Sequence, residues 1–257
     1  MAADWSFARK PFWVFSHLFA AGVVVLFIFL GFWQLSRLDE RRAINSLIAD
    51  RSEAPALDLT GAPTGDDLDY RSVRAEVRFV EADLARVANR SQGGVAGEYV
   101  VAVVELADGT AMAVNRGFVP VNADVDLDPV PSESTIVTGW LRESVQADGW
   151  FAVDDTGEGR ILPRFNTEAV AERWGETLPA YYLQRAPDPG RTVAGFPDPV
   201  ALPSLDEGPH LAYAVQWFIF ATLGVAFYGA LLRRFSRRAR TGGDDPARSP
   251  HSPAVAG

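Results

Sequence analysis

Three histidines and no cysteine bound the chemistry open to this chain of 257 residues. The histidines are His17, His210 and His251. Without cysteine there is no thiolate nucleophile, no disulfide, no zinc–cysteine site and no covalent haem attachment through C-x-x-C-H. Copper trafficking needs soft ligands, and residues 36–209 offer only Met112, with His210 at their edge. The same stretch contains no histidine, so neither a Ser-His-Asp arrangement nor a histidine general base can be built there. Acid pairs remain, Asp66 with Asp67 and Asp154 with Asp155, but in Gly-rich surroundings they read as solvated loops. No phosphate loop is present either, because the run QGGVAG at residues 92–97 is not followed by G-K-[ST] and reads as a turn. The chain is expected not to be an enzyme.

His210 stands in GPHLAYAVQWFIFA. Pro209 suits the first turn of a helix, and His210, Tyr213 and Trp217 then fall at i, i+3 and i+7 on one face, with Gln216 close beside them. Two readings stand. Trp, Tyr and His together form an interfacial belt at the headgroups of a bilayer. Alternatively His210 is an axial ligand of haem iron, and the neighbouring aromatics line a flat apolar molecule. Trp33, Gln34 and Arg37 carry the same pair of readings. They are either an aromatic belt with a snorkelling arginine, or a polar rim on which Arg37 pairs with a carboxylate or a cofactor propionate. His17 lies about 25 Å along the helix axis from the level of His210 by rise per residue, so the two cannot share one iron within one subunit. Asn115, Arg116 and Gly117 read as a turn that closes a hairpin, with a structural role.

The elements that must position these residues begin with two apolar spans, residues 12–33 and 211–232, each 22 residues long and free of Asp, Glu, Lys and Arg. At about 1.5 Å per residue each crosses the hydrocarbon core of a bilayer. Arg233, Arg234, Arg237, Arg238 and Arg240 follow the second span and place the C-terminus in the cytoplasm. Two crossings then place the N-terminus there too. The first span is too long for a signal peptide core and lacks a small-residue cleavage site, so it reads as a retained anchor. Residues 36–209 are therefore expected to be extracytoplasmic. They carry 16 Arg against 30 Asp plus Glu, a net charge of −14, which repels nucleic acid and anionic headgroups. The expected organisation is a cytoplasmic N-terminus over 1–11, a transmembrane helix over 12–35, an extracytoplasmic domain over 36–209, a second transmembrane helix over 210–232 and a basic, then disordered, cytoplasmic tail over 233–257.

Residues 36–51 place Leu38, Ile44, Leu47 and Ile48 near helical spacing among charges, so the first helix is expected to continue outward and stop by Pro55. From Tyr70 the apolar period changes to two, with Val73, Ala75, Val77 and Phe79 on one face. Strands are expected at 70–80, 83–89, 98–107, 110–115, 134–142 and 180–184. Asp108 and Gly109 supply a hairpin turn. Asn166 or Thr167 opens a single helix over 167–174. The fold class is thus an α+β membrane protein, two transmembrane helices flanking an antiparallel β-rich extracytoplasmic domain. Ala221, Thr222 and Gly224 offer small residues for close packing of the two spans.

Three motifs in order, GFWQLSRL at 31–38, VNRGFVP at 114–120 and HLAYAVQWF at 210–218, together resemble the Surfeit-locus family of cytochrome c oxidase assembly factors. The resemblance covers residues 12–232. It implies a non-enzymatic helper in the biogenesis of haem–copper oxidases in a bacterial cytoplasmic membrane, acting where haem a enters the catalytic subunit. It also implies haem a as cofactor, with His210 as iron ligand, Tyr213, Gln216 and Trp217 shaping its pocket and Arg37 available to a propionate. Cytochrome c oxidase subunit I is the implied partner, with haem a synthase a further candidate and no nucleic acid. Trp33, Gln34, Asn115, Arg116 and Gly117 match the family motifs without an assigned role. Phe118 stands where the family usually has Trp, and Gly208 and Pro209 where asparagines are frequent. The alternative function is a cofactor-free membrane scaffold that stabilises an oxidase assembly intermediate.

Overall fold

A computed structural model describes residues 6–121, 125–146, 161–188 and 195–241. The acid pair Asp154 and Asp155, His251 and the tail from residue 242 onward lie outside these residues. The chain divides into two compact units, one made of residues 1–45 and 206–257, the other of residues 46–205.

The first unit is a helix pair. After a short 3₁₀ turn at Ser6–Arg9, α1 runs over Pro11–Glu53 without a break, and its last eight residues belong to the second unit. The other member of the pair, the last helix of the chain, spans His210–Thr241. Both helices are long and apolar enough to cross a membrane. Their contacts follow one rule. Along the middle of the shielded face run Trp13, His17, Ala20, Val24, Phe27, Gly31 and Gln34 on α1, and His210, Ala214, Trp217, Ala221, Gly224 and Tyr228 on the last helix, flanked by further shielded residues such as Ser16, Val23 and Phe218. Steps alternate between four and three residues, a mean of 3.5, which is the seam of two helices that stay in register along their length. The pairs show the helices to be antiparallel. The Trp13 ring centroid lies 4.9 Å from that of Phe235, Phe27 lies 5.5 Å from Trp217, and Gln34 meets His210.

Small residues set the spacing at this seam. A Cβ on Gly31 would lie 2.6 Å from the Phe218 ring, so only glycine lets that ring lie against α1. Gly224 faces Val24, and Ala221 is buried. Thr222 is exposed and its hydroxyl donates back to the Phe218 carbonyl at 2.9 Å, so it adds nothing to the interface. The outward faces of both helices are apolar and exposed, with Phe12, Phe15, Leu18 and Phe19 on α1 and Leu223, Val225 and Phe227 on its partner.

Among the described residues the second unit holds a seven-stranded sheet and a short helix, besides the end of α1. In chain order its elements are β1 (Leu57–Leu59), β2 (Ser72–Gln92), β3 (Val95–Leu106), β4 (Ala111–Pro120), β5 (Thr135–Glu143), β6 (Ile161–Leu162), α2 (Thr167–Trp174) and β7 (Tyr181–Arg185); the last helix is therefore α3. The order β1-β2-β3-β4-β7-β5, with β5 pairing back onto β2, closes β2, β3, β4, β7 and β5 into a ring. The sheet is mixed rather than purely antiparallel. The hairpins β2–β3 and β3–β4 and the pairs β2–β5 and β5–β7 are antiparallel, whereas β1–β2, β2–β6 and β4–β7 are parallel. The parallel pairs arise because loops return β1, β6 and β7 to edges that the hairpins leave open.

Two segments differ from the sequence expectation. Residues 70–80 and 83–89 are not two strands but parts of the 21-residue β2. Register shifts between Phe79 and Glu81, and between Glu81 and Ala85, absorb the break in alternation, with Asp83 at φ +57°. Asn115, Arg116 and Gly117 are not a turn after a strand. They lie inside β4, where Gly117 pairs with Val100 and Asn115 with Val101, leaving Arg116 as the extra residue of a bulge.

The core has two layers. Val73, Ala75, Val77, Val104, Met112, Val114, Leu141 and Leu183 form one cluster, contributed by every strand of the ring. Val87, Val101, Val103, Ala113 and Leu162 form the second with Phe165, Ala169, Val170 and Tyr182, where α2 covers the sheet. This explains the run Val100 to Val104 in β3, all fully buried, since a strand covered on both faces has no reason to alternate. Asn166 caps α2 by accepting from the Glu168 and Ala169 amides at 3.0 and 3.4 Å. The Asp108 carboxylate accepts from the Thr110 amide at 2.8 Å and fixes the β3–β4 turn where the D-G dipeptide indicated one.

Candidate functional site

His210 is the first residue of α3 and the first of its seam, so its ring is directed at α1 rather than outward. There the Gln34 side-chain oxygen lies 2.9 Å from His210 Nδ1. A carbonyl oxygen can only accept, so Nδ1 donates to it, and in the neutral ring that tautomer leaves the lone pair on Nε2. Nε2 makes no hydrogen bond among the described residues, and a Cβ on Gly208 would stand 3.7 Å from it. An imidazole whose one nitrogen is held by an acceptor, and whose other nitrogen is open, has the form of a metal ligand.

The segment that delivers His210 is tied to α1. Arg42 grips Glu207 with two hydrogen bonds, Nε at 2.8 Å and an Nη at 2.9 Å. Arg41 Nε and Asn45 Nδ2 both donate to the Asp206 carbonyl at 3.1 Å, while the Asp206 carboxylate accepts from the Gly208 amide at 3.1 Å. The hydrogen bond from Arg42 is the first cause of a Glu207 carboxyl held below the usual range, and the same bond raises the Arg42 guanidinium. Opposite charges in adjacent pairs, Arg41 with Arg42 past the apolar stretch of α1 and Asp206 with Glu207 just before α3, are the sequence signal that would have revealed this clasp.

The other residues of the motif are spread around the pair. Trp217 is half-buried in the seam between Phe27 and Phe220, with ring centroids 5.5 and 5.9 Å away. Tyr213 is 47 % exposed on the flank of α3, and Gln216 is exposed further round. Arg37 stacks on Trp33 at 5.6 Å and pairs with Glu40 at 2.6 Å, one turn along α1. The structure thus brings Gln34 and His210 together, keeps Trp217 on their face, and leaves Tyr213, Gln216, Trp33 and Arg37 facing outward.

His17 has both nitrogens engaged. The Tyr228 hydroxyl lies 2.7 Å from its Nδ1 and 3.1 Å from Ser16 Oγ, and the Ala8 carbonyl lies 3.2 Å from its Nε2. This is an interhelical latch, with no nitrogen left for a ligand.

In the second unit the bulge directs the Arg116 side chain into the protein, where it is 4 % exposed. It pairs with Asp83 at 2.7 Å and donates to the Asp128 carbonyl. Burial lowers its guanidinium, and Asp83 opposes that shift. The Asn115 side-chain Oδ1 accepts from the Gly117 amide at 3.0 Å. Gly117 has φ +142°, and a Cβ there would meet the Asp198 carbonyl at 2.4 Å, so only glycine allows the Phe118–Asp198 bridge beside it. The motif builds the barrel wall.

The model of the SURF1 family matches residues 21–222. A SURF1-like protein of Mycobacterium tuberculosis, itself described as uncharacterized, is 28 % identical over 94 % of this chain and 92 % of its own length. A SURF1-like protein of Rickettsia bellii is 23 % identical over 83 % of this chain and 89 % of its own.

Proposed function

The chain belongs to the SURF1 family, and on that premise we propose that it is a membrane-anchored, non-enzymatic assembly factor for haem–copper (cytochrome c) oxidase. In this reading it binds haem a through His210 and assists its insertion into, or protection in, subunit I. The observation that carries the ligand assignment is the Gln34–His210 hydrogen bond at 2.9 Å, which leaves the second imidazole nitrogen open. The residues present fit such a group: one imidazole, oriented from behind by Gln34 and with the half-buried Trp217 on its face of α3, would offer a nitrogen to the haem iron. Haem a, when bound, supplies an iron that accepts such a nitrogen. His210 holds it, Gln34 fixes the proton on the opposite nitrogen, and the Arg42–Glu207 clasp keeps the start of α3 from fraying. Trp217, on the face of His210, would lie toward a bound macrocycle, whereas Tyr213 and Gln216 face outward and would contact it only at its edge, and Arg37 would reach a propionate only by exchanging Glu40.

The exposed apolar faces of α1 and α3 support placement in a bilayer, because such surface is stable only where lipid covers it. Arg233, Arg234, Arg237 and Arg238 extend α3 beyond its apolar stretch and favour a cytoplasmic C-terminus, which puts the N-terminus on the same side and residues 36–209 outside. The acidic charge of that stretch repels nucleic acid, and subunit I, with haem a synthase beside it, is the proposed protein partner.

A cofactor-free scaffold is favoured by one observation, the engagement of Arg37 with Glu40 rather than with open space. Complementation separates the two. In cells lacking this chain, wild type is expected to restore the haem a content and activity of the oxidase, and His210→Ala to leave both near the level of the deletion. Full restoration by His210→Ala would move the function to the scaffold.

A further inference from the structure

The barrel unit contains a second place suited to a ligand, apart from His210. Beside α2 a cavity of ≈ 480 Å³ is lined by Arg90, Tyr99, Arg142, Phe165, Tyr182 and Gln184, together with the returning chain around Ala201. That volume lies in the range of sites for small organic molecules, about 300–1,000 Å³. Residues 36–209 are strongly acidic, yet two guanidinium groups and no carboxylate line this space among the described residues.

The two arginines are not equivalent. Arg142 is satisfied: Nε donates to Asp69 at 2.9 Å, its Nη atoms to the Tyr70 hydroxyl at 3.0 Å and to Gln184 Oε1 at 3.3 Å, and it lies 4.0 Å over the Tyr70 ring. Arg90 has no carboxylate partner among the described residues. It donates to the Pro163 carbonyl at 3.4 Å and lies 5.6 Å from the Tyr99 ring, while its Nε is buried with no acceptor. The Arg90 side chain is only half-buried, but a buried N–H donor with no acceptor is costly until an oxygen, such as that of a carboxylate, completes it.

The rest of the wall is aromatic and flat. Phe165 and Tyr182 stack with centroids 3.6 Å apart and planes 11° apart. Burial pushes the Tyr182 phenol up to about 12, with Arg142 opposing, so it stays a neutral hydroxyl able to donate. That hydroxyl makes no hydrogen bond among the described residues.

We propose that this cavity binds a small organic carboxylate with a flat apolar body, its carboxylate seated on Arg90 and its body against the Phe165–Tyr182 stack and Tyr99. Arginine suits the planar, two-oxygen carboxylate, and the stack suits a planar ring. None of the cavity's lining residues takes part in the haem reading.

The test is equilibrium dialysis of the detergent-purified full-length chain against naphthalene-2-carboxylate, with 2-naphthylmethanol as the neutral analogue that reports uptake by micelles. Wild type is expected to show saturable, one-to-one retention of the carboxylate above that background. Arg90→Gln is expected to weaken it on the order of tenfold or more, and Arg90→Lys to recover part of the loss. Ala201→Trp, which fills the cavity without touching a charge, is expected to abolish retention, and His210→Ala to leave it unchanged. Uptake by wild type no greater than that of the neutral analogue would overturn the proposal. So would wild-type retention by a folded Arg90→Gln protein or, where that variant fails to fold, by Ala201→Trp.

Discussion

An imidazole offers a metal only the nitrogen that carries no proton, so what lies behind His210 matters as much as what lies in front. Gln34 accepts from Nδ1 and thereby fixes which nitrogen is open. Replacing Gln34 by Leu removes that acceptor while leaving the seam apolar. The account expects haem a affinity to fall about 10–100-fold with the helices still paired, measured by titrating haem into the purified variant. His210 was legible in the sequence because it is one of three histidines and opens an apolar span. Gln34 was legible only as a motif residue without a role, since its partner lies 176 residues away and only the register of the helix pair brings them together. Tyr213 and Gln216 show the limit of spacing arguments. Offsets of three and six residues from His210 rotate their side chains away from the seam, and without the partner helix in place the buried direction cannot be fixed.

At the scale of elements, length and apolar character exposed the two long helices and the continuation of α1 to Glu53. The four-three alternation of their shielded positions was also present in the sequence, but both faces of each span are apolar, so no polar face marked the seam. Gly31 tests this packing. A Gly31→Leu side chain would drive into the Phe218 ring, which already stands 2.6 Å from where a Cβ would be. Because the chain has no cysteine, Val24→Cys with Gly224→Cys provides a clean cross-link reporter. The cross-link is expected to form in the otherwise wild-type chain and to be lost when Gly31→Leu is added. In the barrel, alternation identified the first half of β2, and the D-G turn identified the β3–β4 hairpin. The bulges were not legible. A break in alternation reads equally as a strand end, and only pairing with β3 shows that β2 continues through Asp83. The N-R-G motif misled for a related reason: glycine at φ +142° usually signals a turn, and here it serves a bulge that turns Arg116 inward.

At the scale of the whole molecule, a helix pair with apolar outer faces and an acidic closed barrel are two units with different solvents to satisfy. The barrel's response to alkali follows from Tyr182. Its folded pKa is raised from 10.0 to about 12, chiefly by burial, so the unfolded chain loses that proton first. The associated stability is complete below pH 10 and is lost as pH rises through about 12. Thermal melts are expected to fall across that window, and Tyr182→Phe to flatten the fall. The claim on which the functional account turns is that His210 holds haem a. The measurement that tests it most directly is the optical spectrum of the detergent-purified chain, co-expressed with the enzymes of haem a synthesis, for wild type and His210→Ala. The account predicts a haem a band in wild type that is lost in a folded His210→Ala protein. A wild type without the band although haem a is available, or a variant that keeps it, would contradict the account.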